Sequence, residues 1–255
     1  MKRVTALVGS PRKRHTYNAV RQFLGSLQSL GDVEYEIVAL SDCNVNRCSG
    51  CCVCFNKGEE FCPFRDDDRN VLIEKMMASD GVVFASPTYS FQVSAIMKTF
   101  LDRLGFVFHR PRFFGKTFTS IVVQGVYGGP KVVKYLDFVG NGLGFNVVRG
   151  SCITTLEPMT ERDQRKIDGI LAAHSKRFYE RLSEPPYPVP TLSRLMIFRM
   201  SRTSIRQLDE TYRDYTYYRD KGWFESDYFY AARLNVFKKA AGSLFDYTTS
   251  RGARK

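Results

Sequence analysis

Four cysteines carry the most specific spacing in the chain. Cys48, Cys51 and Cys54 stand three residues apart, and Cys62, followed by Pro63, completes a Cys-x2-Cys-x2-Cys-x7-Cys-Pro run. Thiolates at successive steps of three can wrap a compact iron–sulfur cube, with a more distant fourth ligand ahead of a proline. Zinc prefers two separated Cys-x2-Cys knuckles, so it fits less well, and a metal-free loop of thiols is a third reading. Cys52 adds a competing thiol. With Cys43 and Cys152 the total is seven, and six of them fall within twenty positions. That odd, clustered count argues against a disulfide scaffold. Cys43 and Cys152 read as small buried apolar side chains.

A second chemical loop is Gly9-Ser10-Pro11-Arg12-Lys13-Arg14-His15-Thr16-Tyr17-Asn18. The hydroxyls of Ser10 and Thr16, the Arg12 guanidinium and the backbone N–H groups of a helix start could converge on a phosphate. A basic surface turn ahead of a capped helix fits the same residues. The loop lacks the three-glycine dinucleotide fingerprint and the Gly-Lys-Ser/Thr ending of a P-loop, which disfavours nucleoside triphosphates and ordinary Rossmann NAD binding. A third loop, Gly125-Val126-Tyr127-Gly128-Gly129, could bring backbone close to a flat ring; a plain turn after a strand is its bland equivalent. His15 in the basic loop could help hold a phosphate or stand solvated, His109 could edge a substrate pocket or be a loop residue with a local hydrogen bond, and His174 reads as a structural helix residue. No Ser-His-Asp set or carboxylate pair supports hydrolysis.

The elements that position these loops alternate regularly. Apolar runs at Val4–Val8 and Gly81–Ala85, an alternating run at Glu34–Leu40, and the segments Lys116–Gln124 and Phe145–Thr154 predict five strands. Helical periodicity predicts helices over Thr16–Leu30, Val71–Met77, Ser94–Leu104, Lys131–Val139 and Thr160–Leu182, with Asp66-Asp67-Asp68 capping the second and Thr160 the last. Five strand–helix units in series imply a doubly wound parallel sheet of flavodoxin-like order, two-one-three-four-five. In such sheets ligands sit at the carboxyl ends of the strands, after Val8, Leu40, Ala85 and Val123. Lys98 and Asp102 predict a surface i, i+4 pair, and Arg103 a residue that fixes a loop or faces a partner subunit.

Four prolines between Glu184 and Pro190 end this region. The expected organisation is a domain over 1–184 with a cysteine-rich insertion at 43–65, then a mostly helical, aromatic-rich arm over 185–255. The chain has 255 residues, 44% apolar and 25% charged, with a net charge of +12. No apolar run is long enough to cross a bilayer, and the start is too short for a secretory leader, so a cytoplasmic protein is expected. The positive charge favours anionic partners: a phosphate-bearing cofactor or an acidic protein. Acidic residues interleave the arm's Arg and Tyr side chains, which disfavours nucleic acid; helices wrapping the same or a neighbouring subunit are expected instead.

Gly9-Ser10-Pro11-Arg12 with Thr16, Ser86-Pro87-Thr88-Tyr89 ahead of the Lys98…Asp102-Arg103 helix, and the cysteine run between them resemble the NADPH-dependent FMN reductase superfamily, and within it the iron–sulfur flavoprotein branch. The match in motif order covers residues 1–180. The resemblance implies an FMN phosphate held by Ser10, Arg12, Thr16 and Asn18. It implies an isoalloxazine against Pro87, Thr88, Tyr89, Ser90 and Phe91, with Gly125, Tyr127, Gly128 and Gly129 closing over its pyrimidine edge. It implies a 4Fe–4S cluster on Cys48, Cys51, Cys54 and Cys62, although the gap from Phe55 to Phe61 is long for that branch. The expected function is an FMN-dependent oxidoreductase reduced by NAD(P)H, passing electrons to a quinone, a nitroaromatic, free flavin or a redox protein. The alternative is an electron carrier between ferredoxin-like partners. A homodimer or homotetramer is expected in either case.

Overall fold

The computed structural model describes residues 1–252; the last three residues of the expected arm lie outside them. In chain order the elements are β1 (Lys2–Val8), α1 (His15–Gln28), β2 (Val33–Ala39), α2 (Val53–Asn56), α3 (Arg69–Ala78), β3 (Gly81–Pro87), α4 (Ala95–Arg103), α5 (Gly105–His109) and β4 (Thr117–Gln124). They continue with α6 (Gly129–Gly142), β5 (Asn146–Val147), β6 (Ser151–Thr154), α7 (Glu161–Ser183), α8 (Leu192–Ile205), α9 (Arg213–Asp220) and α10 (Val236–Gly252). They form two compact units, one of residues 1–49 and 64–186, the other of residues 50–63 and 187 onward. No helix among the described residues is long and apolar enough to cross a membrane.

The first unit is a parallel sheet in the order β2-β1-β3-β4-β5, with helices on both faces. Its central strands are apolar because both faces are covered: every residue of β3 is buried, as is nearly all of β4. On one face Val4, Ala6, Val8, Val83, Ala85 and Ile121 meet Phe23 and Leu24 of α1 and Leu171 and Phe178 of α7. On the other, Phe84 and Phe118 cross edge to face at 5.0 Å, and Phe84 also meets Phe100 of α4. Capping residues place the helices. Thr160 and Asp163 form a reciprocal capping box at the start of α7, and the Ser94 hydroxyl caps α4.

Three expectations need correction or refinement. The fifth strand is two pieces: β5 pairs with Thr117 and Phe118, and β6 with Ile121 to Gln124. Between them the Gly150 N–H leaves the ladder for the Asp137 carboxylate at 3.2 Å, which also accepts from Ser120 Oγ. A side chain at 150 would strike that serine, since a Cβ would lie 2.0 Å from its Oγ. The acidic triplet caps α3 through its middle residue: Asp68 occupies the cap position without a side-chain cap bond, while Asp67 Oδ1 accepts from the Arg69 N–H at the start of α3 at 3.2 Å. The Asp68 carboxylate accepts from Asn44 N–H at 2.7 Å instead. Finally, the stretch from Phe106 to Pro111, expected as a loop, lies as far as His109 in the short helix α5.

In the second unit α8 packs on α10 and α9, and the short α2 packs on α9. The segment that holds Cys51, Cys54 and Cys62 therefore belongs with the C-terminal helices. Trp223 is buried against Tyr218 and Phe229 and donates Nε1–H to the Phe229 carbonyl at 3.1 Å. Arg199, 4% exposed, pairs with Asp227 and Asp246. Tyr218, Trp223 and Tyr228 are buried, so their faces are committed to packing rather than to stacking on bases.

Candidate functional site

β1 and β3 are neighbours whose chains continue to opposite sides of the sheet, and the crevice at that reversal is where doubly wound folds bind ligands. A cavity of about 210 Å³ opens there. Ser10, Arg12, Arg14, His15 and Thr16 line it from the first loop and α1. Pro87, Thr88 and Tyr89 line it from the end of β3, with Val123, Gln124, Gly125 and Thr155 opposite.

The first loop is wound by its own serine. Ser10 Oγ donates to the Arg12 carbonyl at 2.8 Å and accepts from the Arg12 N–H at 3.4 Å. Arg14 stands at the N-cap of α1, no side chain caps that helix, and its first turn carries no acidic residue. The open N–H groups and the positive end of the helix dipole therefore combine with Arg12 and Arg14, a setting for an anion. Ser10 and Thr16 are buried within it. Lys13 turns away to pair with Asp42 at 2.7 Å. His15 Nε2 lies 3.6 Å from Glu157 Oε1.

Across the cavity, Thr88 Oγ1 is buried without a hydrogen-bond partner among the described residues. Folded proteins rarely leave such a group unpaired, so this hydroxyl fits a ligand with polar ring edges. Serines lock the two cavity loops together. Ser94 Oγ donates to the Gly9 carbonyl. Ser94 N–H donates to Ser86 Oγ at 2.9 Å, and Ser86 Oγ donates to the Pro87 carbonyl at 2.8 Å.

The remaining candidates lie outside the cavity lining. Asn18 is exposed one turn along α1. Ser90 and Phe91 form the centre of a two-residue reverse turn, closed by Tyr89 N–H to Gln92 O and Gln92 N–H to Tyr89 O, both at 2.9 Å. Their φ values are +47° and +62°, a left-handed conformation that costs non-glycine residues about 1–2 kcal/mol each. Tyr127, Gly128 and Gly129 lie in the loop after β4. Gly129 N–H donates to Gln124 Oε1 at 2.7 Å, so the strand end caps α6 from outside. Arg14, Gln124 and Thr155 line the cavity but were not among the sequence candidates. The carboxyl end of the fifth strand, which leads into Thr155, was the signal that could have found the last of these.

Cys48, Cys51 and Cys52 are exposed, Cys54 is half-buried and Cys62 is buried. Cys43 and Cys152 are half-buried, and burial pushes the Cys152 thiol up to about 11, which keeps it protonated. Among the described residues no group of three or more His, Cys, Asp or Glu side chains is arranged to hold a metal ion. The stems of the cysteine segment are nevertheless tied. Asp68 N–H donates to the Asn44 carbonyl at 2.9 Å, and Asn46 N–H to the Asp67 carboxylate at 3.0 Å. Asp67 in turn pairs with Arg103 of α4 at 3.0 Å, with both side chains buried. Burial pushes the Asp67 carboxyl up, but the N–H groups of Asn46 and Arg69 and the Arg103 guanidinium hold it below the usual carboxylate range. Arg103 therefore fixes a loop. Lys98 and Asp102 form the expected exposed pair.

Residues 2–155 match the model of the NADPH-dependent FMN reductase family. An iron–sulfur flavoprotein of Archaeoglobus fulgidus is 37% identical over 162 residues, 58% of this chain and 70% of that one. An iron–sulfur flavoprotein of Clostridioides difficile is 28% identical over 200 residues, 76% of this chain and 85% of that one. Among solved structures, RosB with a bound 8-demethyl-8-formylriboflavin 5′-phosphate intermediate shares the fold at a TM-score of 0.57 and 13% identity, covering 92% of each chain. Sequence match, strand order and the crevice at the reversal agree, and the chain belongs to the NADPH-dependent FMN reductase family.

Proposed function

We propose that this protein binds FMN in the β1–β3 crevice and oxidises NAD(P)H at the expense of a quinone, a nitroaromatic, free flavin or a redox protein. The observation that carries the reading is the cavity itself. An uncapped helix start beside Ser10, Arg12 and Thr16 suits a phosphate dianion, and Thr88, whose buried hydroxyl has no hydrogen-bond partner among the described residues, lines the same cavity. FMN, when bound, supplies the two-electron and one-electron chemistry that side chains lack. The chain's part is to bind and orient it. Ser10, Thr16 and Arg12 take the phosphate, Pro87 and Tyr89 wall the ring, Thr88 hydrogen-bonds its edge, and Gly125 brings backbone against it.

Cys48, Cys51, Cys54 and Cys62 are proposed to hold a 4Fe–4S cluster. Support comes from their spacing, from the thiophilic donor set, and from relatives whose names say iron–sulfur flavoprotein. A second reading, electron carriage between an acidic ferredoxin-like protein and another partner, is favoured by the net charge of +12, which steers acidic partners.

Anaerobically purified protein tests both readings. Visible absorbance, FMN stoichiometry and an iron and sulfide assay establish the cofactors. The visible flavin band is then followed after mixing with NADPH. Bleaching within seconds supports the enzyme, and bleaching only with reduced ferredoxin supports the carrier. Colourless protein that refuses added FMN overturns both.

A further inference from the structure

Between α9 and α10 the chain runs from Lys221 to Asn235 without helix or strand, yet side chains brace its backbone along the way. Arg202 donates to the Ser226 carbonyl at 2.6 Å, Trp223 Nε1–H to the Phe229 carbonyl at 3.1 Å, and the Tyr230 hydroxyl to the Pro188 carbonyl at 2.7 Å. Within the segment Trp223 meets Phe229 edge to face, and Tyr228 meets Phe229 and Tyr230 in the same way. A loop held at so many points keeps its shape. This one curves around an open hollow of about 610 Å³, within the range of small-molecule sites, about 300–1,000 Å³. The hollow shares no lining residue with the β1–β3 crevice, and all of its lining belongs to the second unit.

The charges around the hollow do not balance. Asp227 lines it, but Arg199 holds that carboxylate at 2.8 Å. Lys221 and Arg233 line it from opposite ends of the segment, and neither side chain forms an ion pair or hydrogen bond among the described residues. Lys221 Nζ stands only over the Tyr217 ring, 5.7 Å from its centroid. Tyr228 adds a third donor. It is 5% exposed, it lines the hollow, and its hydroxyl has no hydrogen-bond partner among the described residues. A tyrosine so buried ordinarily finds a partner for its O–H. Burial pushes its phenol up to about 12, so it keeps its proton.

We infer that this hollow is a second ligand site, for a small aromatic carboxylate whose charge meets Lys221, Arg233 and Tyr228 and whose ring fills the aromatic-walled space. Charge-assisted hydrogen bonds orient such a ligand, and a preformed apolar wall holds its body. The wall's own rings stay packed on one another. A bare inorganic ion would use the cations and leave most of the volume empty.

Trp223 is the chain's single tryptophan, so its emission reports this hollow. FMN-saturated protein is titrated with p-toluate, with its neutral isostere p-toluamide, and with acetate, which carries the charge without the ring. Calorimetry repeats each titration. A saturable change in emission is expected with p-toluate, and binding about tenfold weaker with either of the other two. The dissociation constant for p-toluate should rise about tenfold in the double variant Lys221→Gln, Arg233→Gln and about fivefold in Tyr228→Phe, which keeps the ring and deletes the oxygen. A linear, unsaturating change in emission means collision rather than binding and overturns the site. Equal affinity for p-toluamide, or unchanged affinity in both variants, also overturns it. Binding that perturbs the flavin absorbance and survives the double variant assigns the ligand to the crevice instead. Loss of binding as protein concentration and solution mass rise together would mean that a second copy fills the hollow, which overturns the ligand role. If Tyr228→Phe does not fold, the double variant at the hollow's two cations carries the comparison alone.

Discussion

Thr88 Oγ1 lies in the wall of the crevice with no hydrogen-bond partner among the described residues, and a buried hydroxyl in that state costs about 1–3 kcal/mol. The cost is recovered if a ligand meets it. Thr88→Val keeps the shape of the side chain and deletes the oxygen, so the flavin-free and flavin-bound proteins should respond in opposite directions. Without FMN the melting temperature should hold or rise. With FMN the dissociation constant should rise about fivefold, the equivalent of one ordinary hydrogen bond of about 1 kcal/mol. Differential scanning fluorimetry and flavin-fluorescence titration read the two effects separately. FMN binding as tight as in the wild type would mean that the hydroxyl is not a ligand.

At the scale of elements, the acidic triplet shows how tertiary demand overrides a local signal. Asp66-Asp67-Asp68 reads as an N-cap, and Asp67 does accept the Arg69 N–H of α3, but Asp67 and Asp68 also receive backbone N–H groups from Asn46 and Asn44 and close the base of the cysteine segment. Arg103 completes the clasp from α4. Asp67→Ala should therefore destabilise the protein by about 3–5 kcal/mol, the usual cost of breaking a buried ion pair, and should admit protease between residues 47 and 63. A urea midpoint within error of the wild type would remove the clasp. The central strands were legible because Val4–Val8 of β1, Gly81–Ala85 of β3 and Ile121–Val123 of β4 are largely apolar runs, as a sheet covered on both faces requires. The break between β5 and β6 was not, because it depends on Asp137, thirteen positions away, reaching the Gly150 N–H. The first cavity loop and Pro87, Thr88 and Tyr89 were legible as strand ends followed by turn residues.

The stability of the molecule as a whole should carry the signature of one histidine. His174 of α7 is fully buried between β4 and β6, with Nε2 2.6 Å from Thr119 Oγ1 and Nδ1 2.7 Å from Ser151 Oγ. Thr119 Oγ1 donates its proton to the Val148 carbonyl at 3.0 Å, so it must accept from Nε2–H, and Nδ1 accepts from Ser151. Both ring nitrogens are thus satisfied in the neutral form. Burial, with a smaller push from Arg177, lowers the pKa from 6.5 to about 3. Above pH 6.5 neither folded nor unfolded chain binds a proton here, and the site leaves stability independent of pH. As pH falls from there towards 3, the unfolded chain takes up a proton that the folded one refuses, so stability drops by about 1.4 kcal/mol per unit. Asp137, whose carboxyl burial raises, acts with the opposite sign, because its protonation relieves a buried charge in the fold. Urea unfolding of the FMN-saturated protein should therefore lose about 2 kcal/mol between pH 7.5 and 5.0 through His174 alone. His174→Gln keeps one donor and one acceptor for the same two hydroxyls but cannot titrate. It should be the less stable protein at pH 7.5 and show a flatter dependence below 6.5. Parallel pH profiles for the two proteins would mean that the imidazole is protonated inside the fold, and that the hydrogen-bond assignment across the sheet is wrong.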